Sequence, residues 1–269
     1  MTQANTTPVS ALPSGRIDVH CHLLPGIDDG CQNLDETFQC IEQLKAAGYI
    51  GSILTPHMWI GQYPKNTPEN VQRWVRDLRE QLRLAKVRYH LWIGGELRLC
   101  KKVIKWCQEH GVPTVAESNC VLVDFWEQSW PRFADKAFDW LIEEGYQPIL
   151  AHPERIQFND KLEANLKQVQ ARGVMLQGNL RCMTGEEGFF PDKLVRQLLE
   201  EKRYALLALD AHGPYDLQGR LDGIKFVEDE FGADVVEQML ETAPRELLIE
   251  SPKPPPDRSN DEAKPVGQV

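Results

Sequence analysis

Between residues 16 and 250, short apolar runs alternate with stretches whose apolar residues return every three or four positions. The first pattern suits strands buried on both faces, and the second suits amphipathic helices laid against them. Seven runs read as strands: RIDVH (16–20), YIGSILT (49–55), YHLWIGG (89–95), CVLVDF (120–125), QPILA (147–151), GVMLQGN (173–179) and YALLALD (204–210). The helices between them carry start and stop signals. NLDETFQCIEQLKAAG opens on Asn33 as N-cap with Glu36 three residues on, spaces Phe38, Ile41 and Leu44 along one face, and stops at Gly48. TPENVQRWVRDLREQLRLAK opens on Thr67 followed by proline and sets Val71, Trp74, Val75, Leu78 and Leu82 on one side, which makes Trp74 a core residue rather than a ligand platform. Strands alternating with helices predict an α/β fold of βα units around a parallel sheet, and 269 residues fit one barrel-sized domain.

Composition narrows the setting. Residues 1–15 are rich in Thr, Pro and Ser, and residues 251–269 (SPKPPPDRSNDEAKPVGQV) are Pro-rich and charged, so both ends are expected to be disordered tails around a domain at 16–250. No internal repeat of fixed period is visible. A net charge of −10 argues against nucleic acid as a partner. No apolar run is long enough to insert in a membrane and no export signal opens the chain, so a cytoplasmic protein is expected. Seven scattered cysteines with no CxxC fit reduced thiols.

The chemistry gathers at the strand ends. In DVHCHLLPGIDDG, the His-x-His spacing turns both imidazoles to one side of a strand, and a pair of aspartates before Gly30 follows. The first strand thus ends in His20 and His22, with Asp28 and Asp29 just beyond; the second in His57; the third in Glu96; the fourth in Asp124. The fifth gives His152 with Glu154 and Arg155, the sixth Gln177 and Asn179, and the seventh Asp210 and His212. One histidine at a strand end is ordinarily structural, and His90 and His110 read that way. Five of seven histidines at the rim where parallel barrels build their sites is a different matter. Carboxylates beside neutral imidazoles are costly to bury unless a cation neutralises them. The donors outnumber the ligands of one ion, which calls for two or three adjacent divalent ions, and the N/O mixture suits Mn, Fe or Zn better than Ca.

These motifs resemble the polymerase and histidinol phosphatase (PHP) superfamily, and within it the manganese-dependent protein-tyrosine phosphatases of bacterial capsule and exopolysaccharide operons. The matching segments run in order through the domain: DVHCHLLPGIDDG, LTPH, GGE, VLVDF, AHPER, LDAH with Arg220, and APRELL. The resemblance implies a distorted (β/α)7 TIM-like barrel holding two or three ions, Mn2+ first with Fe or Zn as alternatives. It implies that His20, His22, Glu96 and Asp210 hold one ion, that Glu96 bridges to a second held by His152 and Asp124, and that His57, His212 and an acid of the Asp28–Asp29 pair, Asp29 ahead of Asp28, hold a third. Arg155 and Arg220 match arginines that face the phosphate, and Asp210 and His212 count among the catalytic groups as well as the ligands. Three departures stand out: Asp124 where the family usually has Glu, Leu209 where it usually has Ser, and GNLRCMTG on the sixth segment.

The implied activity is hydrolysis of a phosphotyrosine protein or peptide by a metal-activated hydroxide, with a tyrosine kinase of polysaccharide export as a candidate partner. No cysteine is followed six residues later by arginine, so the Cys-x5-Arg loop of thiol phosphatases is absent. Two other readings stay open: a PHP phosphoesterase for a small metabolite such as histidinol phosphate, and a catalytically silent binding module. Oligomeric state is open too.

Overall fold

The computed structural model describes residues 12–127, 130–157 and 160–249. All the paired strands are parallel. They run β1 (Arg16–Cys21), β2 (Tyr49–Leu54), β3 (His57–Met58), β4 (His90–Ile93), β5 (Glu96–Arg98), β6 (Cys120–Asp124), β7 (Gln147–Ala151), β8 (Met175–Asn179) and β9 (Leu206–Ala208). The seven expected runs are all strands. Two of them end at a break that a further short strand follows: Pro56, which has no N–H to donate, separates β2 from β3, and Gly94–Gly95 separates β4 from β5. The sheets that result have orders β1-β2-β4 and β3-β5-β6-β7-β8-β9. Past the ends of β1 and β9 the chain pairs again, Asp210 N–H donating to His20 O and His22 N–H to Ala211 O, each at 2.8 Å.

The helices follow the sequence signals. In α1 (Leu34–Ala46) the Asn33 side chain accepts the Glu36 N–H and the Glu36 carboxylate returns to the Gln32 N–H at 2.8 Å. Its buried stripe is Cys40, Ile41 and Leu44 with Thr37, so Phe38 lies on the edge, half-buried. In α2 (Pro68–Leu84), Val71, Val75, Leu78 and Leu82 are buried and Trp74 packs beside them. The remaining long helices are α3 (Val103–His110), α4 (Arg132–Glu143), α5 (Asp160–Ala171), α6 (Phe189–Glu200) and α7 (Leu217–Phe231), with shorter α8 (Ala233–Glu237) and α9 (Ala243–Ile249). His110 ends α3 beside Gly111, and His90 opens β4, away from the strand ends.

Strand alternation divides the core in two. One cluster lies between strands and helices; the other takes the opposite strand faces, with Ile17 and Val19 of β1, Ile53 of β2, Leu122 of β6, Ile149 of β7 and Leu206 of β9. Leu12 and Leu247 belong to this second cluster. The last residues of the expected N-terminal tail are therefore held: the Ser14 hydroxyl and Gly15 N–H both donate to Glu241 Oε1, at 2.9 and 2.8 Å. Residues 1–11 and the expected C-terminal tail lie outside the described residues. No helix among those described is long and apolar enough to cross a membrane.

Candidate metal centre

Simple alternation from Ile17 and Val19 would send His20 and His22 to the helix side of β1. The strand contains a bulge instead: Asp18 pairs with Ser52 and Cys21 with Leu54, three steps on β1 against two on β2. The extra residue resets the alternation. Both imidazoles then meet Glu96, from the start of β5, and Asp210, just after β9.

Four atoms converge there. His20 Nε2 and His22 Nε2 are 3.3 Å apart; Glu96 Oε2 is 3.5 Å from each; Asp210 Oδ1 is 3.4 Å from the first and 3.3 Å from the second. Ligands held tetrahedrally ~2.0–2.2 Å from a divalent ion lie roughly 3.3–3.6 Å apart, so the His20, His22 and Asp210 atoms are spaced for one cation, with Glu96 Oε2 adjoining both imidazoles. The far ring nitrogens are committed. His20 Nδ1 faces Gln177 Oε1 at 2.8 Å and His22 Nδ1 faces Asp28 Oδ2 at 2.8 Å. Each partner is an acceptor, so each Nδ1 carries a proton and each Nε2 is the atom that faces inward.

Two further groups adjoin the first. Glu96 Oε1 meets His152 Nε2 at 3.0 Å on one side. On the other, Asp29 Oδ1 lies 3.3 Å from His57 Nε2 and 3.6 Å from His212 Nε2, with His22 stacked on His212 at 4.0 Å between ring centroids. His212 Nδ1 donates to Asp210 O, leaving its Nε2 free to face Asp29. Asp124 stands apart: both carboxylate oxygens are buried without a hydrogen-bond partner, and the nearest cation is Arg98 Nη1 at 3.9 Å. Glu96 Oε2 likewise accepts no hydrogen bond, and His57 Nδ1 lies 2.7 Å from it as an ion-pair partner. Buried carboxylate oxygens without a hydrogen-bond donor, crowded among imidazole nitrogens, are the donor set of a cation site.

Backbone devices hold the ligands. His152 (φ 32°) and Asp210 (φ 53°) both adopt left-handed conformations, each at the turn leaving its strand, a strain that side chains other than glycine accept at functional sites. Gly30 has no substitute: a Cβ there would lie 2.0 Å from His22 O, so the DDG loop can close over β1 only with glycine. Asp18 Oδ1 accepts the Leu209 N–H at 3.1 Å and ties β1 to the β9 exit, and burial pushes its carboxyl up to about 7. Leu209, at the departure from the usual serine, is fully buried.

Two of the expected site residues occupy other positions than the sequence suggested. Asp28 is spent on orientation: Oδ2 takes His22 Nδ1 and the His57 N–H, and Oδ1 takes the Gly30 N–H, so its carboxylate stands behind His22 rather than among the converging atoms. Arg220 is buried with its guanidinium on Asp216 Oδ2 and Leu209 O, so it backs Asp210, 3.7 Å away, and cannot face a phosphate. Arg155 does reach the open side. It lines a cavity of about 580 Å³ together with Asp29, His57, His152, Asp210 and His212, and its guanidinium bonds Asp210 Oδ2 at 2.6 Å and Glu187 Oε1 at 2.9 Å. Sequence reasoning named Gln177 and Asn179 but gave them no role; Asn179 Nδ2 donates to Asp210 Oδ2 at 3.1 Å. It missed the aromatic wall of the cavity, Phe125 and Trp126.

Protons stand in for cations in this cluster. Burial works against the charge on His57 and His22, yet Glu96 and Asp29 push His57 up to about 12, and Asp28 with Asp210 pushes His22 up to about 9. Burial and the neighbouring Glu96 carboxylate raise Asp124 to about 8. Burial, with His22 beside it, lowers His212 to about 4. His57, His22 and Asp124 therefore hold protons at pH 7 that a divalent ion displaces. Titrating Mn2+ into metal-free protein in buffers of different ionisation enthalpy is expected to show proton release at pH 7 that diminishes toward pH 9 as His22 and Asp124 deprotonate, with affinity rising over the same range. Release independent of pH would show that other groups bind the ion.

The fold has known counterparts. The tyrosine-protein phosphatase YwqE of Bacillus subtilis (strain 168) is 28% identical over 237 residues, covering 87% of this chain and 91% of YwqE. Crystal structures described as those of YwqE from Bacillus subtilis and CpsB from Streptococcus pneumoniae, metal-dependent tyrosine phosphatases, include a chain that superposes with a TM-score of 0.78 at 25% identity, over 89% of this chain and 98% of that one. The phosphotriesterase homology protein of Escherichia coli shares the fold alone, with a TM-score of 0.54 at 12% identity over 88% of this chain and 99% of its own. The model of the CpsB/CapC family of capsular polysaccharide synthesis matches residues 16–249, and this chain belongs to that family.

Proposed function

We propose that the protein is a metal-dependent protein-tyrosine phosphatase. The observation that carries this reading is the convergence of His20, His22 and Asp210 at ligand spacing, with Glu96 adjoining both imidazoles, beside a cavity that Arg155 lines. The names of YwqE and its solved counterpart support it. In this reading His20, His22, Glu96 and Asp210 hold one divalent ion; Glu96, His152 and Asp124 a second; Asp29, His57 and His212 a third. Manganese is the metal we infer, with iron or zinc as alternatives. Ions held there supply Lewis acidity toward the phosphoryl oxygens and bring the pKa of water down toward ~7.

The chain's own residues do the rest. Gln177 and Asp28 hold the Nδ1 protons of His20 and His22, so neither ring can turn its donor side to the ions. Arg155 offers a forked donor to two phosphoryl oxygens, in exchange for its bond to Glu187. A tyrosyl oxygen, with a phenol pKa near ~10, departs with less protonation than an alkoxide needs. No thiol competes: Cys21 is fully buried, its Sγ faces Ile53 O, and burial raises its pKa well above the usual value.

The two sheets are read as one distorted (β/α)7 barrel. Supporting this, the inner apolar cluster draws on both sheets, and β1 and β9 hydrogen-bond at their exits. Residues 16–250 then act as one phosphatase domain, cytoplasmic, on phosphotyrosine proteins that include a kinase of polysaccharide export.

The test is direct. Protein reconstituted with Mn2+ is expected to hydrolyse a phosphotyrosine peptide, to prefer it over histidinol phosphate, to stop on chelation, and to work unchanged as Cys21→Ser. Preference for histidinol phosphate would move the assignment to a metabolite phosphoesterase. Loss of turnover in C21S with metal retained overturns the metal route.

A further inference from the structure

We infer that Trp126, braced by Trp59 and Arg98, is an aryl-recognition platform that makes the site selective for aryl over alkyl phosphomonoesters. The inference rests on the phosphatase reading for what the aryl group belongs to, and on the geometry for the platform itself.

Trp126 is 49% exposed, and it lines the cavity that the imidazoles of His57, His152 and His212 and the carboxylates of Asp29 and Asp210 also line. It is not loose. Its ring meets Trp59 edge-on, centroids 5.0 Å apart at 70°, and the Arg98 guanidinium carbon lies 4.9 Å from the Trp126 centroid and 4.4 Å from that of Trp59. These are cation–π distances to both rings. Arg98 is itself largely buried and lies 3.9 Å from Asp124 Oδ2 and 3.7 Å from Glu127 Oε1. The three side chains come from the exits of β3, β5 and β6, the strands that also deliver His57, Glu96 and Asp124.

Position gives the platform its ligand. The indole stands 5.5 Å from the His57 ring, at 81°, so it is one ring away from the metal cluster. A phosphate engaged by Arg155 and the cluster places the next group of its ester beside that wall, where Phe125 and Ile156 continue the apolar surface. A tyrosyl ester sets an aromatic ring there. A seryl ester sets one methylene and then a peptide backbone whose amides have no partner on an apolar wall. A rigid aromatic surface is already ordered before the ligand arrives, so little side-chain entropy is lost on stacking.

The experiment compares phenylphosphonate with methylphosphonate as unreactive probes of the Mn2+-reconstituted protein, by competition or by direct calorimetry. Trp126→Ala is expected to weaken phenylphosphonate about 10-fold while leaving methylphosphonate and bound manganese within about 2-fold. Trp126→Phe restores most of the aryl preference, and Trp126→Leu, apolar without a ring, does not. On a phosphotyrosine peptide the loss in W126A falls on KM more than on kcat. Equal weakening of both phosphonates, or no change in either, overturns the platform. Should W126A lose manganese, the W126F and W126L pair decides: equal aryl preference in the two overturns it as well. Ring-dependent binding of phenylphosphonate by a protein that never hydrolyses phosphotyrosine supports the platform and sinks the phosphatase reading, so the two fail separately.

Discussion

Glu96→Gln is expected to strip the protein of manganese and to lower turnover of a phosphotyrosine peptide by more than ~10³-fold, beyond the range that follows loss of one preorganised donor. Its carboxylate joins four imidazoles: Oε2 lies within 3.5 Å of His20 and His22 and 2.7 Å from His57, and Oε1 lies 3.0 Å from His152. The amide keeps the shape and removes the charge, leaving an NH₂ group that points donors at lone pairs. The fold should survive, because β5 is anchored by its backbone pairing to β3 and β6 rather than by this carboxylate. Metal content by mass spectrometry, circular dichroism and turnover, measured on one preparation, separate these effects. Full manganese occupancy in E96Q would mean that the ions sit elsewhere.

The order of strands and the rim they share were legible in the chain because hydrophobic period and strand-end chemistry are local. DVHCH announces a pair of imidazoles facing one way, and LDAH and AHPER announce turns after strands. What the sequence conceals is the bulge between Asp18 and Cys21, since one surplus residue leaves no mark on an apolar run, yet it decides which side of the sheet receives His20 and His22. The breaks at Pro56 and Gly94–Gly95 carried a signal, and the runs YIGSILT and YHLWIGG end at them. The partition of Asp28 from Asp29 was available only as the resemblance's ranking of Asp29 ahead of Asp28, because neighbouring aspartates on a turn differ only in direction: one goes inward to His22 and the other outward to His57.

Asp124 shows how a departure from a family pattern becomes physical. With one methylene fewer than glutamate, its carboxylate ends short of the group formed by Glu96, His152 and His20, buried and without a hydrogen-bond donor, while Arg98 lies 3.9 Å away. Arg98 is the same guanidinium that braces Trp126. The short carboxylate and the aromatic wall thus meet at one side chain, and Phe125 and Trp126, the residues right after Asp124, line the cavity.

Arg155→Ala is expected to lower kcat/KM on a phosphotyrosine peptide by about 10²–10³-fold, the usual consequence of removing a preorganised donor from developing negative charge, while manganese stays bound. Arg155→Lys recovers little, because a point charge replaces a fork that can grip two oxygens. The reasoning turns on what Arg155 does before substrate arrives. One arm bonds Asp210 Oδ2 at 2.6 Å, which orients that carboxylate so that Oδ1 faces His20 and His22; the other bonds Glu187 Oε1 at 2.9 Å. A phosphate has to displace the second partner, not the first. Glu187→Gln weakens the bond to be displaced and a 3.5 Å ion pair to Arg181, neither of which touches the cluster, so it is expected to lower KM for the peptide by a few-fold and leave manganese binding alone. Arg220→Ala acts differently, since that guanidinium is buried on Asp216 and Leu209 O: it lowers the melting temperature and loosens Asp210 from behind. If R155A and R220A instead shift KM alike with no change in melting temperature, the two arginines share the phosphate, and the division drawn from their burial fails.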